Sequence, residues 1–401
     1  MKATDSHQII TTETALSAFC QRAAGSPYIA FDTEFVSENR YRPILCLVQV
    51  ATADEIAIID TIAISDIQPF WELLVNGQHV SITHAAREEF LFCYRAVGRR
   101  PKNLFDIQLA AGMIGYEYPA AYGNLAGRVL GLSVDKGETR TDWQKRPLSN
   151  AQLNYAMQDV VHLKPIYDVI HARLGELNRL EWLREETSSW LQDLERAETE
   201  PQWQRVNGIA GLSPRALAIV RELWLARDEE AQRKNRAPRR VLPDDLIVEL
   251  ARRGTADPKS LRAIRGFDSR VSQAITERLS KAIARANELP DSQLPTKAVR
   301  AKSIHLGLLG QFLTTALKII CDRENIAAGI VGTAQDIRDL AAWHMKMVPA
   351  NPRPLLATGW RAHIIGQIIE DIIDGSIGIR VNNPRADDPL DLFGINSKDK
   401  L

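Results

Sequence analysis

Asp32 and Glu34 stand two residues apart in the run Ile29-Ala30-Phe31-Asp32-Thr33-Glu34-Phe35. The run is apolar and reads as a β-strand. Alternate residues of a strand share a face, so the two carboxylates project together. Like charges side by side are costly unless a cation sits between them. An isolated Asp-x-Glu is more often a solvated strand end, but further acids change the balance. Glu89, Asp106 and the pair Tyr155 and Asp159 each lie beside an apolar run. Four or more acids converging on one sheet edge would make an oxygen cage for hard divalent metals. Asp159 follows Tyr155 by four residues, one turn along the same helical face. A tyrosine there can hold a water beside a metal that Asp159 ligates. Its ordinary pKa near ~10 makes it a poor base, so activation falls to the metal and Tyr155 aims the water. In isolation, a packing aromatic and a solvated acid would explain that pair equally well.

These side chains must be positioned by a mixed sheet. Strand-like segments are expected at 28–36, 44–50 and 55–59, joined by short turns as in an antiparallel meander. A fourth strand is expected at 79–83 and a short fifth before Asp106. Helical spacing appears at 12–24, 67–75, 86–97 and 106–113. This alternation predicts an α/β domain. Residues 149–194 read as almost continuous helix, broken at Pro165 and loosened at Gly175. Pro201 lies in a polar stretch that marks a domain boundary. Beyond it the pattern is helical: 214–231, 243–252, 260–264 and 269–287, then 303–325, 334–347 and 360–373. Residues 289–295 form a Pro-containing linker.

The chain of 401 residues predicts two or three domains, and its 45% apolar and 25% charged content is that of a globular protein. Residues 1–200 hold 19 Lys and Arg against 27 Asp and Glu, and the remainder holds 31 against 23. An acidic half (net −8) and a basic half (net +8) fit a metal-dependent catalytic domain followed by one that touches polyanions. Cys20, Cys46, Cys93 and Cys321 are widely separated and make no zinc spacing, so free thiols are expected. Neither a signal peptide nor a membrane-spanning run is legible, which gives a cytoplasmic expectation. A monomer is the expected state.

Phe31-Asp32-Thr33-Glu34-Phe35, then Thr141-Asp142-Trp143 with Arg146-Pro147-Leu148, then Tyr155-Ala156-Met157-Gln158-Asp159-Val160 resemble the ribonuclease D family. These are 3′→5′ exoribonucleases of the tyrosine-type DEDD superfamily, and the resemblance spans roughly residues 8–285. It implies a ribonuclease H-like fold with a mixed five-stranded sheet carrying Asp32 and Glu34 on its first strand. In the histidine-type branch a His stands five residues before the last Asp, where this chain has Asn154. The second motif, His84-Ala85-Ala86-Arg87-Glu88-Glu89-Phe90, carries Glu89 where the family has Asp. Glutamate is still an oxygen ligand but one methylene longer, and catalysis is sensitive to a misplacement of about 1 Å. Glu88 is the alternative ligand. Asp106 matches a supporting acid near the site and equally an N-cap of the next helix.

Trp203-Gln204-Arg205-Val206, Gly208 and Arg236-Ala237-Pro238-Arg239-Arg240 resemble the helicase-and-RNase-D C-terminal (HRDC) domain, a nucleic-acid-binding module. The partition implied is an exonuclease domain at 1–200, an HRDC domain at 203–290, a second helical and HRDC-like module at 297–381, and a loose tail from 382 to 401. Nucleic-acid contacts are expected from Arg40, Tyr41, Arg42, Arg140, Trp143 and Arg146, and from Arg233, Lys234, Arg236, Arg239 and Arg240 as sequence-independent phosphate contacts. Trp143 would equally pin its loop by packing. The resemblance implies that Asp32, Glu34, Glu89 and Asp159 hold two divalent ions, Mg²⁺ or Mn²⁺. The enzyme would release 5′-nucleoside monophosphates from RNA 3′ ends, as in tRNA or stable-RNA maturation. The rivals are a DNA exonuclease and an RNA-binding scaffold weakened by Glu89. No Gly-x4-Gly-Lys-Ser/Thr loop occurs, which argues against a helicase motor.

Overall fold

The computed structural model describes residues 8–133, 141–264, 267, 273–295, 306–386 and 388–395. Its main sheet has six strands rather than the five implied, in the order β1-β4-β3-β2-β5-β6. These are β1 Gln8–Ile10, β2 Tyr28–Val36, β3 Ile44–Ala51, β4 Ile56–Asp60, β5 Val80–Thr83 and β6 Leu104–Asp106. The additional strand is β1, three residues long and parallel to β4. It is too short for a period-2 pattern to be legible. β3 and β4 are antiparallel, whereas β5 runs parallel to both β2 and β6.

The register of β2 on β5 pairs Tyr28 with Val80 and Ala30 with Ile82. Asp32 and Glu34 therefore stand past the carboxyl end of the neighbouring strand, where a sheet leaves space for a ligand. Along β2, Phe31 and Thr33 are buried while Asp32 and Glu34 alternate with them onto the other face.

The expected break at Pro165 falls three residues earlier. One helix covers Asn150–Val161 and the next Leu163–Glu176, with His162 at the joint. Pro165 sits in the first turn of the second helix, where a missing N–H costs nothing. The following break lies not at Gly175 but at Leu177–Arg179, where Asn178 takes a left-handed φ of 56°.

The chain forms two compact units. The smaller joins residues 35–45 to the chain from Glu195 onward through Pro295. Its core is built from the helices Pro214–Lys234, Asp244–Arg253 and Gln273–Glu288, with Leu223, Ile247, Leu279 and Ile283 fully or almost fully buried. The larger unit holds the sheet, its helices through Leu194 and the described residues from Leu306 on.

Within the larger unit, residues 306–395 do not build a core of their own. Leu313, Ile320, Ile337, Leu340 and Trp360 belong to the same buried cluster as Ala30, Ile82, Ile107 and Ile166. Two buried arginines fasten the segment. Arg179 donates to the carbonyls of Met113, Asn325 and Glu324. Arg361 makes a two-bond pair with Glu186 and donates to the carbonyls of Val331 and Ile330. The Trp360 ring stacks on Trp182 at 5.7 Å. Gly329 lies where a Cβ would come within 2.6 Å of the Tyr118 carbonyl oxygen, so only glycine allows this approach. The segment expected as a loose tail contains β8, Leu390–Gly394, which pairs antiparallel with β7, Ile377–Val381. Among the described residues no helix is long and apolar enough to cross a membrane.

Candidate active site

Asp32, Glu34 and Asp159 come together at the carboxyl end of β2. One oxygen from each lies within 4.8 Å of the other two, the only such group of three or more acid, His or Cys ligands among the described residues. The first two are delivered by strand alternation and Asp159 by the Asn150–Val161 helix. That helix is fixed at its start by a reciprocal cap: Ser149 Oγ accepts from the Gln152 N–H, and Gln152 Oε1 accepts from the Ser149 N–H. Gln152 also donates to Thr141 Oγ1 and to the Asp142 carbonyl, tying the preceding loop to the helix. Tyr122 anchors the other end by donating from Oη to the Gln158 carbonyl at 3.0 Å. Tyr122 was not singled out from the sequence, where nothing distinguishes it from any other helix tyrosine. Ser149-x-x-Gln152 is the local sequence signal that could locate this helix start.

Crowding raises the proton affinity of the whole cluster. Burial, followed by the charges of Glu89, Asp159 and Glu34, holds the Asp32 carboxyl well above the usual carboxylate range. Glu34 is pushed up to about 8 by burial and then by Asp159 and Glu89. Asp159 rises to about 6 through burial, opposed by the hydrogen bond from Tyr155. The Tyr155 phenol is held above its ordinary value by burial and by Asp159 and Glu34, so it stays protonated at neutral pH. Such a group donates; it does not act as a base.

Glu89 lies outside the three-acid group. It is buried in the first turn of the Arg87–Val97 helix, and its Oε1 accepts from Thr33 Oγ1 at 2.6 Å. Its carboxyl is pushed up to about 7, mainly by burial. Glu88, the alternative, is paired with Arg87. Asp106 caps the helix Ile107–Gly112 by accepting from the Gln108 and Leu109 N–H groups. It also accepts from the N–H groups of Ala85 and Ala86 at 3.0 Å. Asp106 thus holds the turn from which the Glu89 helix departs, including Ala85 in the left-handed region at φ 60°. His84, half-buried beside this turn, contacts the Ala120 carbonyl at 3.1 Å.

Several expected nucleic-acid contacts are spent inside the protein. All five guanidinium donors of Arg146 are used, on both Asp60 oxygens and on the carbonyls of Trp143, Lys145 and Cys46. Trp143 is 3% exposed, with its ring 6.1 Å from that of Tyr155. It packs beside the tyrosine and has no face to offer a base. Arg140 lies outside the described residues.

In the smaller unit, Tyr41 donates to Asp228 at 2.9 Å, and Asn235 Oδ1 accepts from the backbone N–H groups of Tyr41 and Arg42. The loop carrying Arg40 and Arg42 is thereby fastened to the end of the Pro214–Lys234 helix. Arg233 and Lys234 both pair with the buried Glu230, and Arg239 pairs with Asp244. Arg236 and Arg240 are exposed.

The chain is similar to known proteins along nearly its whole length. A 3′–5′ exonuclease family matches residues 7–174, and the HRDC domain family matches residues 216–283. A ribonuclease D of Jannaschia sp. is 35% identical, the match covering 94% of this chain and 98% of the relative. One from Acidiphilium cryptum is 33% identical, covering 94% and 96%. Among solved structures, Escherichia coli RNase D, described as an exoribonuclease involved in structured RNA processing, superposes with a TM-score of 0.80. It is 25% identical, and the match covers 92% of this chain and 99% of that one.

Proposed function

The chain belongs to the ribonuclease D family and is a 3′–5′ exoribonuclease, and on that premise we propose that Asp32, Glu34 and Asp159 are the acids that hold its divalent metal. The observation that carries the assignment is the meeting of their oxygens within 4.8 Å. Three hard oxygen donors, crowded enough to raise one another's proton affinity, fit a divalent cation that replaces the proton. Glu89 is proposed as the fourth acid. Thr33 holds one of its oxygens, and its charge is felt at both Asp32 and Glu34.

Bound metal, expected as two Mg²⁺ or Mn²⁺ ions, would supply a water of lowered pKa and neutralise the leaving 3′ oxygen. Tyr155 keeps its proton and directs it toward Asp159, leaving its oxygen to orient a water. Trp143 packs beside Tyr155, and the Arg146–Asp60 pair fixes the loop that carries Trp143. The product is proposed to be a 5′-nucleoside monophosphate. The substrates are proposed to be the 3′ tails of tRNA precursors or other structured RNA, a reading supported by the RNase D relative described for structured RNA.

The HRDC-type unit is proposed to hold the RNA. The test uses end-labelled RNA and DNA of matched sequence, with and without Mn²⁺. Shortening from the RNA 3′ end should require metal and fall to background in Asp32→Asn and Asp159→Asn. Wild-type turnover in either variant would sink the assigned site. Glu89→Gln should cripple activity while conserving size, and wild-type behaviour across metal titrations would remove Glu89 from the set.

A further inference from the structure

Three cations of the basic run expected to hold phosphate are paired with carboxylates, and the same unit presents another surface for an anion. Arg233, Lys234 and Arg239 are committed to Glu230 and Asp244. On the loop before the Pro214–Lys234 helix lies an open cavity of about 960 Å³. Its wall carries Trp203, Arg205 and Arg221, and among the described residues no carboxylate lines it. Trp203 is half-buried against the unit's core, which fixes the ring, while Arg205 is exposed. Arg221 reaches one acid, Glu222, at 3.5 Å. The lining also includes the turn at Gly208 and Gly211, whose φ values of 86° and 82° belong to glycine. A Cβ on Gly211 would meet nothing within 4 Å, so the backbone there faces open space.

A half-buried aromatic ring that shares a cavity wall with two arginines and with two glycines of left-handed φ suits a planar base joined to phosphates. We infer that this groove binds single-stranded RNA, one base stacking on Trp203 and the adjoining phosphates meeting Arg205 and Arg221. Stacking on an aromatic is tolerant of sequence, as the handling of varied 3′ tails requires. The inference rests on the exoribonuclease reading and names where that enzyme holds its substrate.

The experiment uses the full chain carrying Asp159→Asn, so that RNA is not consumed, and a fluorescent single-stranded oligoribonucleotide followed by anisotropy over a range of salt. Arg205→Glu with Arg221→Glu should weaken binding about tenfold or more and flatten the salt dependence. The same change at Arg236 and Arg240 should have a smaller effect. Trp203→Leu should lose about fivefold or more, whereas Trp203→Phe, which keeps a ring, should retain most of the affinity. Circular-dichroism melting verifies that each variant is folded. Parent-like binding by the double arginine variant, or equal binding by the Leu and Phe variants, overturns the proposal. So does competition by oligoglutamate as effective as that by RNA of matched charge, since it would mark an acidic-peptide site. If the unaltered chain shortens RNA but the groove variants bind normally, the groove alone is wrong. A chain that neither binds nor shortens RNA defeats the functional reading itself.

Discussion

Two helical regions follow the exonuclease helices, and they are stabilised in different ways. The region before Pro295 closes its own core, with Leu223, Ile247, Leu279 and Ile283 facing one another. The region from Leu306 buries Leu313, Ile320, Ile337 and Trp360 in the cluster that also contains the sheet residues Ala30 and Ile82. Both show the same apolar helical stripes in sequence. A stripe tells which face is buried but not against what. The difference lies in specific devices: Gly329 admitting a carbonyl, and Arg179 and Arg361 satisfying carbonyls that would otherwise be buried unpaired. The first region is thus a module, and the second is part of the body that carries the carboxylates.

Truncation after Pro295 breaks this comparison with the largest effect. It strips the shared core of one side and leaves Glu186 and Trp182 without Arg361 and Trp360. The loss should exceed the roughly 5–15 kcal/mol that keeps a domain folded. The shortened protein should be insoluble or inactive, with no metal-dependent rise in melting temperature. A truncated chain that melts cooperatively and still degrades RNA would show the segment to be dispensable.

Arg227→Ala probes the other side of the comparison. Arg227 is 5% exposed and donates to Asp244 at 2.6 Å and to the Leu242 carbonyl. Removing Arg227 leaves the buried Asp244 with only the exposed Arg239, at 3.2 Å, so the cost should approach but not exceed the roughly 3–5 kcal/mol of an unpaired buried charge. The cost should fall on the smaller unit alone. Calorimetry should show one transition lowered and the metal-responsive transition unmoved, with RNA affinity reduced more than turnover at saturation. A shift in both transitions would mean that the units do not melt separately.

Acidity and metal sharpen the contrast further, because only the larger unit holds the clustered carboxylates. In the metal-free chain Glu34 moves from 4.5 to about 8 and Asp159 from 3.8 to about 6. Folded-state values raised above the unfolded ones give stability that is complete below about pH 4 and lost as pH rises through 6 and 8. The metal-free larger unit should therefore melt a few degrees lower at pH 8 than at pH 5, and Mn²⁺ should reverse the loss most strongly at pH 8. Asp32→Asn should flatten the metal-free slope by removing one of the repelling charges. A metal-free melting temperature that rises from pH 5 to pH 8 would contradict the cluster's electrostatics.

The sequence made much of the site legible because its devices are local. Strand alternation places Asp32 with Glu34, and helical spacing places Tyr155 with Asp159. What joined these two pairs was the family resemblance, since no local rule brings residue 34 to residue 159. Long-range partners were hidden for the same reason. Arg146 looked available to phosphate until Asp60, remote in sequence, took its donors. Glu230 and Asp244 likewise pair with Arg233, Lys234 and Arg239, although all three cations remain exposed. β1 is too short to show a period in sequence, and the five residues of β8 lie in a polar surrounding that hides their pairing.

The smallest effect concerns where the larger body ends. The β7–β8 hairpin is held to the helix Gly307–Arg323 by an ion pair between Arg323 and Asp391 and by a bond from Arg323 to the Leu392 carbonyl at 3.3 Å. Arg380 lies a further 3.6 Å from Asp391. Arg323 is about half exposed at 47%, so water and salt screen the pair. Exposed pairs contribute about 0.2–1 kcal/mol, and Asp391→Asn should cost no more than that. Its value lies in which transition moves. If the hairpin belongs to the carboxylate-bearing body, the metal-responsive transition should fall slightly, and the fall should vanish at high salt. A shift confined to the other transition would detach the hairpin from that body. A loss well above 1 kcal/mol would mean that Asp391 does more than form a screened surface pair.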